Sequence, residues 1–167
     1  ELKILASPSL PQGVGLSVLD NTPDILLLLD AGKLQDALLN LIFNARDACG
    51  VNGQITVSAH AVGTTWLELS VTDTGPGFSP EALKKAMNPF FTTKGSEGSG
   101  LGLSMVYDMV KLAGGSMRIA NTVSGGAVTL RLPYRPAPDA RGGMALLVED
   151  SEELRATFRE MLMDLGY

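Results

Sequence analysis

The sequence predicts an α/β (α+β) protein, and three observations carry that reading. Apolar residues recur at helical spacing over 33–49 and again over 100–113. Between and after these stretches lie segments that alternate with period two and are joined by short turn sequences, the pattern of paired strands. Of the 19 glycines, twelve gather at 75–77, 95–102, 114–115, 125–126 and 142–143, where the chain passes from one such segment to another.

Each element has its own warrant. Residues 1–13 read as the tail of an upstream helix running into the breakers Pro8 and Pro11. Leu16 to Leu19 and Ile25 to Leu29 read as strands around an Asn21-Thr22-Pro23-Asp24 turn, and Asp30 is placed to cap a helix. That helix runs from Lys33 to Cys49, with Leu34, Leu38, Leu41, Ile42, Ala45 and Cys49 on one arc. Ile55/Val57/Ala59/Ala61 and Leu67/Leu69/Val71 form a hairpin turned at Gly63-Thr64-Thr65. Ser79-Pro80-Glu81 pairs a capping residue with a proline at the first helical position and starts a short helix. Leu103, Val106, Met109, Val110 and Ala113 mark the second long helix, stopped by Gly114-Gly115. Met117/Ile119 and Val128/Leu130/Leu132 add two strands turned at Ser124-Gly125-Gly126. Residues 134–143, with Pro136, Pro138, Gly142 and Gly143, read as a linker. Met144 to Val148 then reads as a strand and Ser151 to Leu165 as an amphipathic helix, too little chain for a core of its own.

Composition narrows the function. A chain of 167 residues with 45% hydrophobic and 19% charged residues is globular rather than disordered. A net charge of −5 argues against a basic face for nucleic acid. The single Cys49 forms no internal disulfide and makes a zinc site a poor reading. Apolar runs such as Ile25 to Leu29 are far short of a membrane span, so no membrane contact is expected of this stretch. The start at Glu1, without Met or a secretory signal, reads as that of an excised piece.

Three motifs could carry chemistry. On the 33–49 helix, Asp36, Asn40, Asn44 and Asp47 fall within about 80° of one another. Such a stripe fits either a solvated face or oxygen ligation of a metal, and Asn at its centre argues for the second. Asp73-Thr74-Gly75-Pro76-Gly77-Phe78 follows a strand. It fits a tight turn, or a carboxylate that accepts from an exocyclic amine beside backbone a ligand can approach. Gly95 to Gly102 opens a helix, where main-chain N–H groups and the positive dipole end suit phosphate, with Lys94 adding a cation. The run matches neither a Walker A nor a Rossmann pattern. Phe90 and Phe91 beside it could hinge a lid or simply anchor a loop. His60 and Cys49 read as a surface and a core residue.

In order along the chain, these segments resemble the ATP-binding catalytic domain of bacterial sensor histidine kinases, of the gyrase/Hsp90/histidine kinase/MutL superfamily. Asn40 to Ala48 resembles the N box, Asp73 to Gly77 the first glycine box, Pro89 to Lys94 the phenylalanine box and Gly98 to Leu103 the second glycine box. The resemblance covers about residues 15–133 and implies a two-layer sandwich, a mixed sheet on about three helices. It implies ATP and Mg²⁺ as cofactors. Asn44 would be the Mg²⁺ ligand, with Asp47 beside it, and Asp73 would specify adenine. Gly75 and Gly77 would line the base pocket; Gly98, Ser99, Gly100, Leu101, Gly102 and Leu103 would cradle phosphates; Thr92, Thr93 and Lys94 would belong to the lid.

Hydrolysing relatives place a Glu four residues before the metal-binding Asn. Here that position is Asn40, an amide that cannot take a proton from water. This disfavours a gyrase- or Hsp90-like ATPase and favours transfer of the γ-phosphoryl to a histidine, with a degenerate nucleotide-binding module as the remaining alternative. The sequence departs from the family in carrying Gly126-Ala127 where a Thr is usual, and Asp47 where many kinases carry a basic residue.

The implied partners are a histidine-bearing dimerisation domain, placed upstream of residues 1–14, and a receiver domain or response regulator, in the cytoplasm. After the linker, Leu146 to Ser151 resembles the first strand of a receiver, making 144–167 its truncated start and the parent a hybrid kinase. Glu149 and Asp150 would ligate Mg²⁺ only in a complete receiver.

Overall fold

The computed structural model describes residues 2–23, 27–93, 99–137 and 152–164. The chain divides into two compact units, Glu1–Asp24 with Leu29–Arg135, and Ile25–Leu28 with Pro136–Tyr167.

The first unit is built on a five-stranded sheet. Its strands are β1 (Gly13–Asn21), β2 (Asn52–Val62), β3 (Trp66–Asp73), β4 (Ser116–Asn121) and β5 (Gly126–Pro133), in the spatial order β1-β2-β3-β5-β4. β1 runs parallel to β2 and every other pairing is antiparallel, so the sheet is mixed, as predicted. The alternation read from the sequence sets its two faces. Ile55, Val57, Leu67, Leu69, Val71, Val128, Leu130 and Leu132 are buried. Thr56, Ser58, Glu68, Ser70 and Thr129 lie at the intervening positions and are only partly covered. A sheet with one apolar face needs one covering layer.

That layer is helical. α2 (Ala31–Cys49) and α4 (Gly102–Leu112) bury Leu38, Leu41, Ile42, Ala45, Val106 and Val110. Each large aliphatic side chain fully removed from water contributes about 1.5–3 kcal/mol. Asp30 caps α2, its Oδ1 accepting from the Lys33 N–H at 3.0 Å. Ser79 caps α3 (Pro80–Lys85) in the same way, its Oγ accepting from the Ala82 N–H at 3.1 Å. Both caps were legible in the sequence. The leading residues form α1 (Leu2–Ala6) and a 3₁₀ turn (Ser7–Ser9), with Ala6 fully buried.

One expected element fails. The strand predicted over Ile25 to Leu29 does not form over its described part, where Leu27 makes a single antiparallel bridge to Pro136. Proline has no N–H to extend a ladder, and an apolar run without alternation does not by itself specify a strand. In the second unit α5 (Glu152–Asp164) occupies the predicted helical stretch, with Phe158, Met161 and Met163 between 40% and 61% exposed. The strand expected at 144–148, and residues 138–143 of the expected linker, lie outside the described residues. Among the described residues no helix is long and apolar enough to cross a membrane.

Candidate functional site

The polar stripe of α2 faces the site. Asn40 and Asn44 are half-buried, whereas Asp36 and Asp47 are exposed, so the stripe is not a uniformly solvated face. Two cavities flank it. The narrower, about 60 Å³, is walled by Leu41, Asn44, Ala45 and Ala48 of α2, Val71 and Asp73 of β3, Gly126 and Val128 of β5, and Gly77, Phe78 and Leu103. The wider, about 280 Å³, is lined by Asn40, Asn44, Asp47, Phe78, Ala82, Ala86, Phe91, Thr92, Thr93, Ser99, Gly100, Gly102 and Leu103. Asn44, Phe78 and Leu103 border both cavities, which therefore adjoin.

Asp73 ends β3 and is 8% exposed, a carboxylate that burial would penalise unless hydrogen-bonded. Its Oδ1 accepts from the Gly75 N–H at 2.8 Å and the Gly126 N–H at 3.2 Å. Both bonds go to one oxygen, so acceptor capacity remains on a group that borders the narrow cavity. The following loop is clamped by Asn121, at the end of β4. Asn121 Oδ1 accepts from the Phe78 N–H at 2.7 Å, and its Nδ2 donates to the Phe78 carbonyl at 2.9 Å. Gly77, at φ 74°, passes so close that a Cβ there would lie 2.7 Å from Asn121 Oδ1.

The wide cavity meets the start of α4. Among the described residues no side-chain hydrogen bond caps that helix at Leu101, whose own N–H donates to Ser99 Oγ at 3.3 Å. The first turn of a helix leaves its N–H groups without intrahelical partners and carries the positive dipole end. Gly102, the first helical residue, faces both asparagines: a Cβ there would lie 3.5 Å from Asn44 Nδ2 and 3.6 Å from Asn40 Oδ1. Asn40 Nδ2 is held by the Asp36 carbonyl at 3.1 Å. Opposite, Gly100 at φ 67° packs on the main chain of Phe90, itself at φ 66°. Such a conformation in an aromatic residue costs about 1–3 kcal/mol and needs surrounding structure to hold it. Phe90 is 76% exposed, whereas Phe91 lines the cavity.

Most predicted positions therefore converge on two adjoining cavities. Gly75 is a partial exception: it contributes its N–H to Asp73, but the Ala48 carbonyl covers it, 2.7 Å from where a Cβ would be. Leu101 borders neither cavity and serves as the residue before α4. Lys94 and Gly98, like Glu149 and Asp150, lie outside the described residues. Sequence reasoning missed Phe78 and Asn121 as parts of the site. Gly126 belongs to the Gly126-Ala127 pair that stands where the family usually has a Thr. A Cβ there would come 2.8 Å from Asp73 Oδ2 and 3.1 Å from the Phe78 ring. A larger hollow of about 510 Å³ lies between the first half of α2 and α4, mostly apolar in its lining and bordered by Asn40. It lacks the glycine motifs.

The donors at the junction suit a hard cation. Asn40 and Asn44 offer amide oxygens, and the Asp47 carboxylate beside them is paired with Arg46. Among the described residues no group of three or more His, Cys, Asp or Glu is placed to hold a metal by itself. A cation here would thus be shared with an anionic ligand, as Mg²⁺ usually is with phosphates.

Residues 29–136 match the family described as histidine kinase-, DNA gyrase B- and HSP90-like ATPase. The chain belongs to this family. Within the ATPase family it is similar to the sensor histidine kinase ZraS of Salmonella typhi, 41% identical over 105 residues, which are 62% of this chain and 22% of that protein. The catalytic domain of histidine kinase ThkA superposes with a TM-score of 0.71 at 27% identity, covering 80% of this chain and 89% of that one. Full-length ShkA in complex with AMPPNP gives 0.69 at 28% identity, covering 81% of this chain and 30% of that one. The chain spans less than a quarter of the length of ZraS.

Proposed function

We propose that this chain binds Mg-ATP and donates the γ-phosphoryl group to a histidine on a separate dimerisation domain, in two-component signal transduction in the cytoplasm. The observation that carries the reading is the junction at Asn44, where a narrow cavity ending on Asp73 adjoins a wide one at the start of α4. Adenine suits the first by its chemistry, with a flat face for the apolar walls and an exocyclic amine for the Asp73 carboxylate; about 60 Å³ is too little to enclose the ring, so the base would reach past Asn44 and Phe78 into the adjoining cavity. The triphosphate suits the second, where Gly100, Gly102 and the α4 N-terminus present main-chain N–H groups and Thr92 and Thr93 add hydroxyls. Asn44 would hold Mg²⁺, while Asp47 beside it is paired with Arg46. When bound, the ion would neutralise phosphate charge.

The chain's own contribution is positioning. The phosphate-side donors orient the triphosphate while the γ-phosphorus–oxygen bond to ADP breaks and a phosphorus–nitrogen bond to the acceptor imidazole forms. Asn40 lies where a hydrolysing relative would need a base, and its amide cannot accept a proton. That preserves the phosphoryl group for transfer and leaves the ATPase reading without its base. We assign 15–133 to the catalytic domain, 134–143 to a linker and 144–167 to the beginning of a receiver. The parent is then a hybrid kinase, with Glu149 and Asp150 as receiver metal ligands and a response regulator or receiver as the next phosphoryl acceptor.

Calorimetric titration of ATP, with and without Mg²⁺, tests the site. Binding in the micromolar-to-millimolar range, strengthened by Mg²⁺, is expected. Labelled phosphate should then pass from ATP to a supplied histidine hairpin. Binding that is absent under both conditions, or steady ATP hydrolysis without the hairpin, would overturn the reading.

A further inference from the structure

Arg46 has no part in the reading above. It precedes Asp47, whose side chain borders the wide cavity. Neighbouring residues on a helix point about 100° apart, so these two meet only if the arginine folds back. It does: Nε and Nη2 both lie 2.7 Å from Asp47 Oδ1. The remaining arm is anchored as well. Nη1 donates to the Ser9 carbonyl at 3.3 Å, and Cζ sits 5.1 Å from the centre of the Phe43 ring. The pair is partly covered, at 30% and 34% side-chain exposure, so solvent screens it incompletely.

An unneutralised carboxylate beside a polyphosphate would repel it. We propose that Arg46 is a positioning residue for nucleotide binding: it holds the Asp47 carboxylate in a neutralised pair, so that the wide cavity admits phosphates. The inference rests on the nucleotide reading above. Arg46 acts through Asp47 and not by touching the ligand. The same side chain braces Ser9 and Phe43, a structural contribution that does not depend on the charge at position 47.

A double-mutant cycle separates the two contributions. The four proteins are the unsubstituted chain, Arg46→Ala, Asp47→Asn and the double variant. Each is titrated with Mg-ATP, and its melting temperature is read without nucleotide. Arg46→Ala is expected to weaken Mg-ATP about five- to twenty-fold when Asp47 is present, and less than about twofold in the Asp47→Asn background. Any loss in melting temperature from the Ser9 contact should be similar in both backgrounds. Equal weakening of Mg-ATP in the two backgrounds overturns the inference while leaving the nucleotide site in place. No Mg-ATP binding by the unsubstituted chain overturns the proposed function, and this inference with it.

Discussion

The two cavities differ in what builds them. The narrow one is walled mainly by regular structure, α2 with β3 and β5, and its buried carboxylate is fixed by two main-chain N–H groups. The wide one takes Phe91, Thr92, Thr93, Ser99 and Gly100 from outside any helix or strand. Walls of regular structure hold a shape and discriminate by it, while loop walls can adjust to ligand and partner. The division suits a site that must recognise one base and yet release a phosphoryl group to a second protein. It implies that substitutions on the narrow side change what binds, and those on the wide side change how the phosphates are held.

The largest effect is expected at Asp73. Asp73→Asn keeps the shape but removes the charge that, in the proposed reading, would accept from the adenine amine. A hydrogen bond to a charged group contributes about 1.5–3 kcal/mol, so ATP affinity should fall roughly 10- to 100-fold while the fold persists. Calorimetry beside a circular dichroism melt measures both. Unchanged ATP affinity in a folded variant would break the assignment of the narrow cavity to the base.

A matched pair of glycine substitutions sharpens the contrast. Gly126→Ala forces a methyl against Asp73 Oδ2 and the Phe78 ring, at 2.8 and 3.1 Å. Overpacking of this kind costs about 1–3 kcal/mol, and it should weaken adenosine and ATP together. Gly100→Ala meets the Phe90 main chain at 2.4 Å and sits at φ 67°, a conformation costing an L-residue about 1–2 kcal/mol. Its loss should fall on ATP and spare adenosine. Competition titrations of both ligands decide the matter, and the same selectivity in both variants would erase the division between the cavities.

What the sequence could and could not reveal follows from range. Asp30, Ser79, the α2 stripe and the glycine motifs are legible because their chemistry is local: a cap acts over three residues and a helical stripe over four. Asn121 escaped, and so did the contact that Gly126 makes, because the partners are distant. Asn121 clamps Phe78 across 43 residues, and Gly126 reaches Asp73 across 53. Only the placement of β5 between β3 and β4 brings them together, and no residue pattern states that order. The glycine run opening α4 is legible as a helix start, yet its contact with the Phe90 main chain is not, since main-chain packing leaves no side-chain signature. Ile25 to Leu29 misled for the opposite reason: its apolar character was plain, but nothing local says that its described part would meet a proline.

The smallest expected effect serves as a control, because α2 contributes to both cavities. Asp30 starts that helix from outside either one, bonded to the Lys33 N–H and ion-paired with Lys33 Nζ at 3.1 Å. The main-chain bond from Lys33, followed by its side chain, holds the Asp30 carboxyl below its ordinary value. A carboxyl so depressed stabilises the folded chain above its unfolded value, and the contribution fades as pH falls through the folded one. Asp30→Ala should therefore lower the melting temperature slightly at neutral pH and lose that effect progressively as pH falls below the ordinary carboxylate range. The ratio of ATP to adenosine affinity should not move, since a loosened helix start weakens both cavities or neither. A selective loss of one ligand would mean that the two ends of α2 act separately, and the comparison would then have to be drawn between the halves of one helix rather than between two cavities.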